Sequence, residues 1–197
     1  MEDVAVIDGY AYACGMDRQL FKRVAKGKWM PMHAPTPTQD EVLGFMGMDG
    51  FSETEIYAAG WEGEIWHYNG EKWFQIDSPT SLDLHAVCCA GDGVVYLCGS
   101  NGTFIKGRKD KWEVIGDPAF TKDLWDMHWF NDRLYAVTMY DIYELVGNDL
   151  KPVDTGDNMP SSCYRLSSAD GVMWSVGTRD VFRYDGNKWE DVLERYS

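Results

Sequence analysis

Three observations predict an all-β fold, a five-bladed β-propeller of four-stranded antiparallel blades with about 39 residues per blade. Tyr57, Tyr96, Tyr135 and Trp174 recur at one unchanging interval three times running, and a fixed period of this kind is the signature of a repeat architecture. Short runs of branched and aromatic residues alternate with turn signals throughout, the pattern of hairpin-connected strands. No segment carries a helical period of useful length.

Each unit opens on a short strand: Val4-Ala5-Val6-Ile7, Leu43-Gly44-Phe45-Met46, Leu84-His85-Ala86-Val87, Trp125-Asp126-Met127-His128 and Tyr164-Arg165-Leu166-Ser167. A tight turn follows, written Asp8-Gly9, Asp49-Gly50, Asp92-Gly93, Asn131-Asp132 and Asp170-Gly171, pairs that tolerate the positive φ of a two-residue hairpin. The anchor strand is next, as in Ile56-Tyr57-Ala58-Ala59-Gly60 and Val95-Tyr96-Leu97-Cys98-Gly99, with a further copy at Ala11-Tyr12-Ala13-Cys14-Gly15. A third strand carries Leu20-Phe21, Ile65-Trp66, Phe104-Ile105, Ile142-Tyr143 or Val181-Phe182. A second turn, seen as Asn69-Gly70, Gly147-Asn148 and Asp185-Gly186, leads to a fourth strand headed by Trp29, Trp73, Trp112 or Trp189, with Leu150 in the fourth copy. Two joined hairpins per unit favour a ring of blades over a solenoid, whose rungs are shorter and parallel.

The blades fall at approximately 1–40, 41–81, 82–121, 122–160 and 161–197, within a single domain over 1–197. Closure is expected to rest on packing between the first and last blades. The first blade is longer, through His33-Ala34-Pro35-Thr36-Pro37-Thr38-Gln39 and the expanded turn Phe51-Ser52-Glu53-Thr54. The phrases Val181-Phe182-Arg183-Tyr184-Asp185-Gly186-Asn187-Lys188-Trp189 and Ile65-Trp66-His67-Tyr68-Asn69-Gly70-Glu71-Lys72-Trp73 resemble the short blades of small bacterial propellers with Asp-box, kelch-like and photosystem-assembly-factor repeats. The unit departs from a true Asp-box, which has one more residue between Asp and Gly, and from WD repeats, since Trp125-Asp126 occurs once and in an innermost strand. A propeller fold by itself assigns no activity.

With 197 residues, 45% of them hydrophobic, the chain is long enough to bury a sizeable core. Met1-Glu2-Asp3 is acidic and runs directly into an apolar strand, unlike a secretory signal, and no apolar run approaches the roughly 20 residues of a membrane span. A cytoplasmic protein is expected. Five cysteines, an odd number, read as free thiols, with Cys14 and Cys98 at matching buried positions and Cys88-Cys89 pointing to opposite faces of one strand. Neither a metal nor a cofactor is implied.

The net charge of −14 disfavours nucleic acid and anionic membrane as partners. In a propeller, the loops between blades and the loops joining second to third strands emerge on one face. Those loops hold 13 acids and three bases (Arg18, Lys122 and Arg179), whereas the hairpin turns of the opposite face hold 11 acids and eight bases. Three aromatic residues lie in the same loops without serving a turn: Trp61, Phe120 and Tyr140. Exposed rings in an acidic field describe a surface that captures a basic protein, the charge raising encounter and the rings supplying short-range energy. Each ring has the plainer alternative of folding over the blade beneath it, and the charge that of keeping a strand-rich protein soluble.

The candidate partner-binding residues are therefore Asp17, Trp61, Glu62, Glu64, Asp83, Asp117, Phe120, Asp123, Tyr140, Asp141, Asp154, Asp157 and Asp180. No catalytic residue is assigned. His85, Asp126, His128 and Arg165 lie on innermost strands and read as channel lining, and there is no phosphate-binding glycine loop, paired-cysteine metal spacing or nucleophile elbow. The reading is a non-enzymatic protein-binding module, an acidic cytosolic inhibitor that neutralises a basic bacterial toxin or effector, and it resembles toxin-immunity proteins built on small propellers. The alternatives are a lectin-like propeller and a scaffold or assembly factor. Loops as different as Gly60-Trp61-Glu62-Gly63 and Thr138-Met139-Tyr140-Asp141 suit one composite partner site better than five copies of a sugar site.

Overall fold

The computed structural model describes residues 1–38, 43–156 and 160–193. Among these described residues, twenty strands form five four-stranded sheets, each with its strands in sequence order and all neighbours antiparallel. The first blade holds β1 (Asp3–Ile7), β2 (Tyr10–Gly15), β3 (Gln19–Ala25) and β4 (Lys28–Pro31). The second holds β5 (Phe45–Ser52), β6 (Glu55–Gly60), β7 (Ile65–Tyr68) and β8 (Trp73–Ile76). The third holds β9 (Leu84–Cys89), β10 (Val95–Gly99), β11 (Phe104–Arg108) and β12 (Lys111–Val114). The fourth holds β13 (Asp126–Phe130), β14 (Arg133–Val137), β15 (Ile142–Val146) and β16 (Asp149–Pro152), and the fifth holds β17 (Arg165–Ala169), β18 (Val172–Val176), β19 (Val181–Tyr184) and β20 (Trp189–Asp191). The predicted five-bladed propeller is the observed fold.

The hairpin chemistry acts as expected in most blades. Asp8 and Gly9 take φ of 48° and 78°, and Asp170 and Gly171 take 52° and 76°, the left-handed pair that a two-residue hairpin demands. The second blade is the exception. Asp49-Gly50, expected to turn, lies inside β5, and the turn is made by Glu53 and Thr54 between the paired residues Ser52 and Glu55. Two register irregularities, between Phe45 and Gly47 and between Gly50 and Ser52, absorb the extra residues of this longer strand. The Ser52 hydroxyl accepts the Thr54 N–H at 3.3 Å and holds the displaced turn.

Side-chain alternation gives each blade two apolar faces, and stacking buries those that meet between consecutive blades. Along β6, Tyr57 and Ala59 face the third blade in a cluster with Leu84, Val95, Leu97 and Ile105. Ile56 and Ala58 face the first blade with Tyr12, Cys14 and Leu20. Tyr96 and Cys98 pack against Met127 and Leu134 of the fourth blade, and Tyr135 and Val137 pack against Met173 and Phe182 of the fifth. The recurring anchor is thus the centre of every interface between consecutive blades. Packing of the fifth blade on the first, the expected closure, is not what the structure shows: among the described residues no apolar cluster joins those two blades. All five cysteines are free, and Cys14, Cys88, Cys98 and Cys163 are buried in these interfaces.

Carboxylates reinforce the stacking near the axis. Innermost strands of adjacent blades do not pair with each other, so backbone N–H groups there need other acceptors. Asp3 takes the N–H of Met48 at 3.1 Å, Asp49 that of Cys89 at 2.8 Å and Asp126 that of Leu166 at 2.8 Å, each reaching into the next blade. Asp49, misplaced in a turn by sequence reasoning, is therefore a bridge between blades. Burial pushes the carboxyl of Asp126 from 3.8 up to about 7, and that of Asp49 to about 6.

A raised carboxyl favours the protonated fold, so its contribution to stability is greatest below its unfolded value and declines as pH rises through its folded value. The stability of Asp126→Asn relative to wild type is therefore expected to increase between pH about 4 and about 7. Urea melts of the two proteins across that range check the sign, and a difference independent of pH would show that Asp126 does not titrate with folding.

Candidate partner-binding surface

The loops between blades and those joining second to third strands meet at one end of the stack and are bonded to one another. In the second blade the peptide turns through a single 3-10 turn, Trp61–Gly63, in which Glu62 has φ 53° and Gly63 φ 74°. The third blade repeats it at Ser100–Gly102, with Asn101 at φ 53°. A Cβ on Gly63 would stand 2.3 Å from the carbonyl oxygen of Thr80, and one on Gly102 would stand 2.0 Å from that of Phe120. Both the positive φ and the close approach require glycine. The matching phrases Gly60-Trp61-Glu62-Gly63 and Gly99-Ser100-Asn101-Gly102 are therefore one backbone device that displays different side chains.

Each device is pinned by an acid from the segment entering the next blade. Asp83 accepts the Glu62 N–H at 2.9 Å, and Asp123 accepts the Asn101 N–H at 2.7 Å. In the fifth blade the roles are exchanged: Asp180, in the second-to-third loop, accepts the N–H groups of Ser161 at 2.7 Å and Ser162 at 2.9 Å together with the Ser161 hydroxyl. Between the first two blades an ion pair takes this place. Arg18 Nε donates to Glu64 Oε2 at 2.6 Å, its Nη1 donates to the carbonyl of Pro35 at 3.0 Å, and its guanidinium lies 4.9 Å from the ring of Trp66. Trp66 Nε1 also donates to Glu64 Oε2, at 3.0 Å.

The candidate residues accordingly separate. Asp17, Glu62, Asp117, Asp123 and Asp154 are exposed, as are Trp61 at 37% and Tyr140 at 59%. Asp83 and Asp141 are half-buried, and Asp141 is paired with Lys122 at 2.8 Å. Phe120 is half-buried as well, edge-on to Tyr143 with centroids 5.2 Å apart and packed on the core between the third and fourth blades, so it follows its plainer alternative. Glu64 at 6% and Asp180 at 2% are buried within the networks above and present no carboxylate to a partner. Asp157 lies outside the described residues, as do Asp40 and Glu41 of the acid count.

Trp61 and Glu62 line a recess of about 640 Å³ with Gln75, Asp77 and Ser78. Asp77 is one of the acids counted in these loops but not a named candidate, and sequence reasoning passed over Gln75 and Ser78, whose signal was position alone: they close the fourth strand beside the Trp61 turn. Of the three bases in these loops, Arg18 and Lys122 are neutralised and Arg179 is exposed. Of the channel residues, His85 is stacked on Trp125 at 4.6 Å with its Nδ1 bonded to the carbonyl of Leu124, and His128 Nε2 meets the Ser168 hydroxyl at 2.8 Å. Both are satisfied within the scaffold.

The chain is 47% identical over 195 residues, 98% of its length, to Immune protein Tsi7 of Pseudomonas aeruginosa. It spans 64% of the length of that relative. The resemblance to small bacterial propellers of the toxin-immunity type is thus matched by a named relative. No family model matches the chain. Among solved structures, 95% of the chain superposes with a TM-score of 0.76 on 68% of a catalytically inactive virginiamycin B lyase from Staphylococcus aureus with quinupristin, at 13% identity. The WD40 β-propeller domain of Doa1 is matched with a TM-score of 0.67 over 93% of this chain and 65% of that one, at 15% identity. At such identities these two likenesses establish the propeller fold alone.

The networks predict unequal costs for removing acids that look alike in sequence. Glu64→Ala leaves the buried Arg18 charge without its carboxylate and is expected to cost about 3–5 kcal/mol. Asp123→Ala removes the acceptor of one exposed N–H and is expected to cost about 1 kcal/mol or less. Urea unfolding of the two variants measures both, and equal losses would contradict the assignment.

Proposed function

We propose that this protein is a non-enzymatic immunity protein that acts in the cytoplasm and neutralises a basic toxin by binding it on the loop face. The observation that carries the reading is the 47% identity to Immune protein Tsi7, which runs over 98% of the chain rather than over one blade. The loop face supports it physically. Trp61 and Tyr140 present aromatic surface to solvent, and the recess beside Trp61 offers Glu62 and Asp77 to an inserted cationic side chain. Asp17, Asp117, Asp123 and Asp154 surround these elements with exposed negative charge. Long-range attraction then sets the rate of encounter, and burial of the rings sets the lifetime of the complex.

The decisive experiment pairs the chain with candidate toxins encoded by its neighbouring genes, reading survival of cells that express both and binding by the purified proteins. Wild type is expected to rescue growth and to bind with an affinity that falls as salt rises. Trp61→Ala and Tyr140→Ala are each expected to weaken binding by more than about 1 kcal/mol. Unfolding should hardly change, since both rings are exposed. Glu62→Lys is expected to slow association more than it speeds dissociation. Rescue that survives all three substitutions would move the interface elsewhere, and binding indifferent to salt would remove the electrostatic half of the proposal.

A further inference from the structure

The five blades leave two sheet faces without a neighbour among the described residues, and the repeat itself shows what those faces are. Two residues after each anchor, Cys14, Ala59, Cys98 and Val137 are all 0% exposed because the following blade covers them, whereas Val176 of the fifth blade is 41% exposed. On the opposite side, the fourth-strand tryptophans Trp73 and Trp189 are 8% and 7% exposed beneath the preceding blade, whereas Trp29 of the first blade is 45% exposed. Innermost strands agree: β9 is buried on both faces, while β1 leaves Val4 and Val6 exposed at 64% and 72%, and β17 buries Leu166 alone. Met1, Val4, Ala13, Phe21 and Trp29 line an apolar recess of about 430 Å³ on the first blade. Among the described residues there are four interblade apolar clusters, one for each pair of consecutive blades, and none between the fifth blade and the first.

We propose that these two flanks are docking faces for further blades of the same repeat, carried by polypeptide outside these 197 residues, so that the five blades are an arc of a larger wheel. The chemistry of the faces selects this occupant. Each exposed residue occupies a position that in the other blades is filled by contact with another blade, so its complement is the same surface that covers Ala59 or Trp73. Lengths agree. The 195 matched residues are 64% of Immune protein Tsi7, so about 110 of its residues lie outside the match, room for nearly three units of this period. The superposed virginiamycin B lyase and Doa1 propeller likewise extend beyond the matched 68% and 65% of their chains. A second copy of the chain would instead join two arcs of the same curvature, and a toxin would be asked to bury positions the repeat reserves for its own strands. The inference stands apart from the immunity reading, and its test needs no toxin.

Hydroxyl-radical footprinting with mass spectrometry reads the flanks residue by residue. In the 197-residue chain, Trp29 and Trp174 are expected to oxidise several-fold faster than Trp73 and Trp189. In a chimera that joins the unmatched part of the Pseudomonas aeruginosa relative to this chain, their rates should fall to those of Trp73 and Trp189, and Val176→Asp should restore them. Protection in the chain alone at monomer mass would mean that the fifth blade closes on the first. Protection that appears only with concentration, at dimer mass, would mean that a second copy covers the flanks. Either result overturns the proposal. Should the chimera fail to fold, the mass of the protein isolated from its own cells decides. The proposal requires a polypeptide heavier than these 197 residues by at least one unit of the repeat, and a native chain of just their mass defeats it.

Discussion

A four-stranded blade with alternating apolar residues has two faces to bury and can bury them only against other blades. That constraint organises the molecule. Tyr57 and Ala59 on one side of β6, with Ile56 and Ala58 on the other, commit the second blade to two neighbours. Because successive blades repeat the commitment at a constant interval, they stack about an axis, and residues far apart in the chain are brought to comparable places around it. The loop face is a by-product of this stacking. Connections between blades and those joining second to third strands emerge at the same end of every sheet, so residues as distant as Glu62 and Asp83, or Asn101 and Asp123, come within hydrogen-bond distance.

Apolar packing alone would leave the backbone near the axis and at the loop face with unpaired donors, since sheets that lie face to face exchange no ladder bonds. Aspartate answers this in both places. Asp3, Asp49 and Asp126 cross from one innermost strand to the next. Asp83, Asp123 and Asp180 cross between loops. A short carboxylate suits the task because it accepts without needing a donor in return and loses little rotamer freedom when fixed. The acidity of the chain is to that extent a structural requirement of stacked sheets.

The period, the turn chemistry and the apolar alternation were legible in the sequence because each is a local pattern, and together they yield the five blades and the strand order. Asp49-Gly50 was misread because a turn dipeptide is only a local preference: the longer β5 carried it into the ladder, where cross-strand bonds outweigh a turn preference. The site was legible only in part for a related reason. A count of charged loop residues finds Glu64 and Asp180 as readily as Glu62. Which of them reach solvent depends on partners up to 46 residues away, as Arg18 is from Glu64. Trp61 and Phe120 were equal candidates by sequence. Their separation follows from what lies beneath each: Phe120 meets Tyr143 edge-on, while Trp61 sits at the tip of a turn whose glycine is pressed against the next segment.

The two kinds of acid on the loop face differ in what they leave for a partner. Glu64 and Asp141 face cations, so their charge is cancelled where it stands. Asp83 and Asp123 face backbone N–H groups, which are neutral, so each holds a loop in place and still projects a full negative charge. The field therefore comes partly from the same groups that fix the loops, and it is preorganised: no side-chain ordering is needed at those positions when a partner arrives. Rigidity and charge are then inseparable at Asp83 and Asp123, where a substitution changes both. Trp61 and Tyr140 carry no such double duty, so the affinity they contribute to an interface is separable from the stability of the fold, and it is at these rings that recognition can diverge from one toxin to another while the stacking beneath them stays intact.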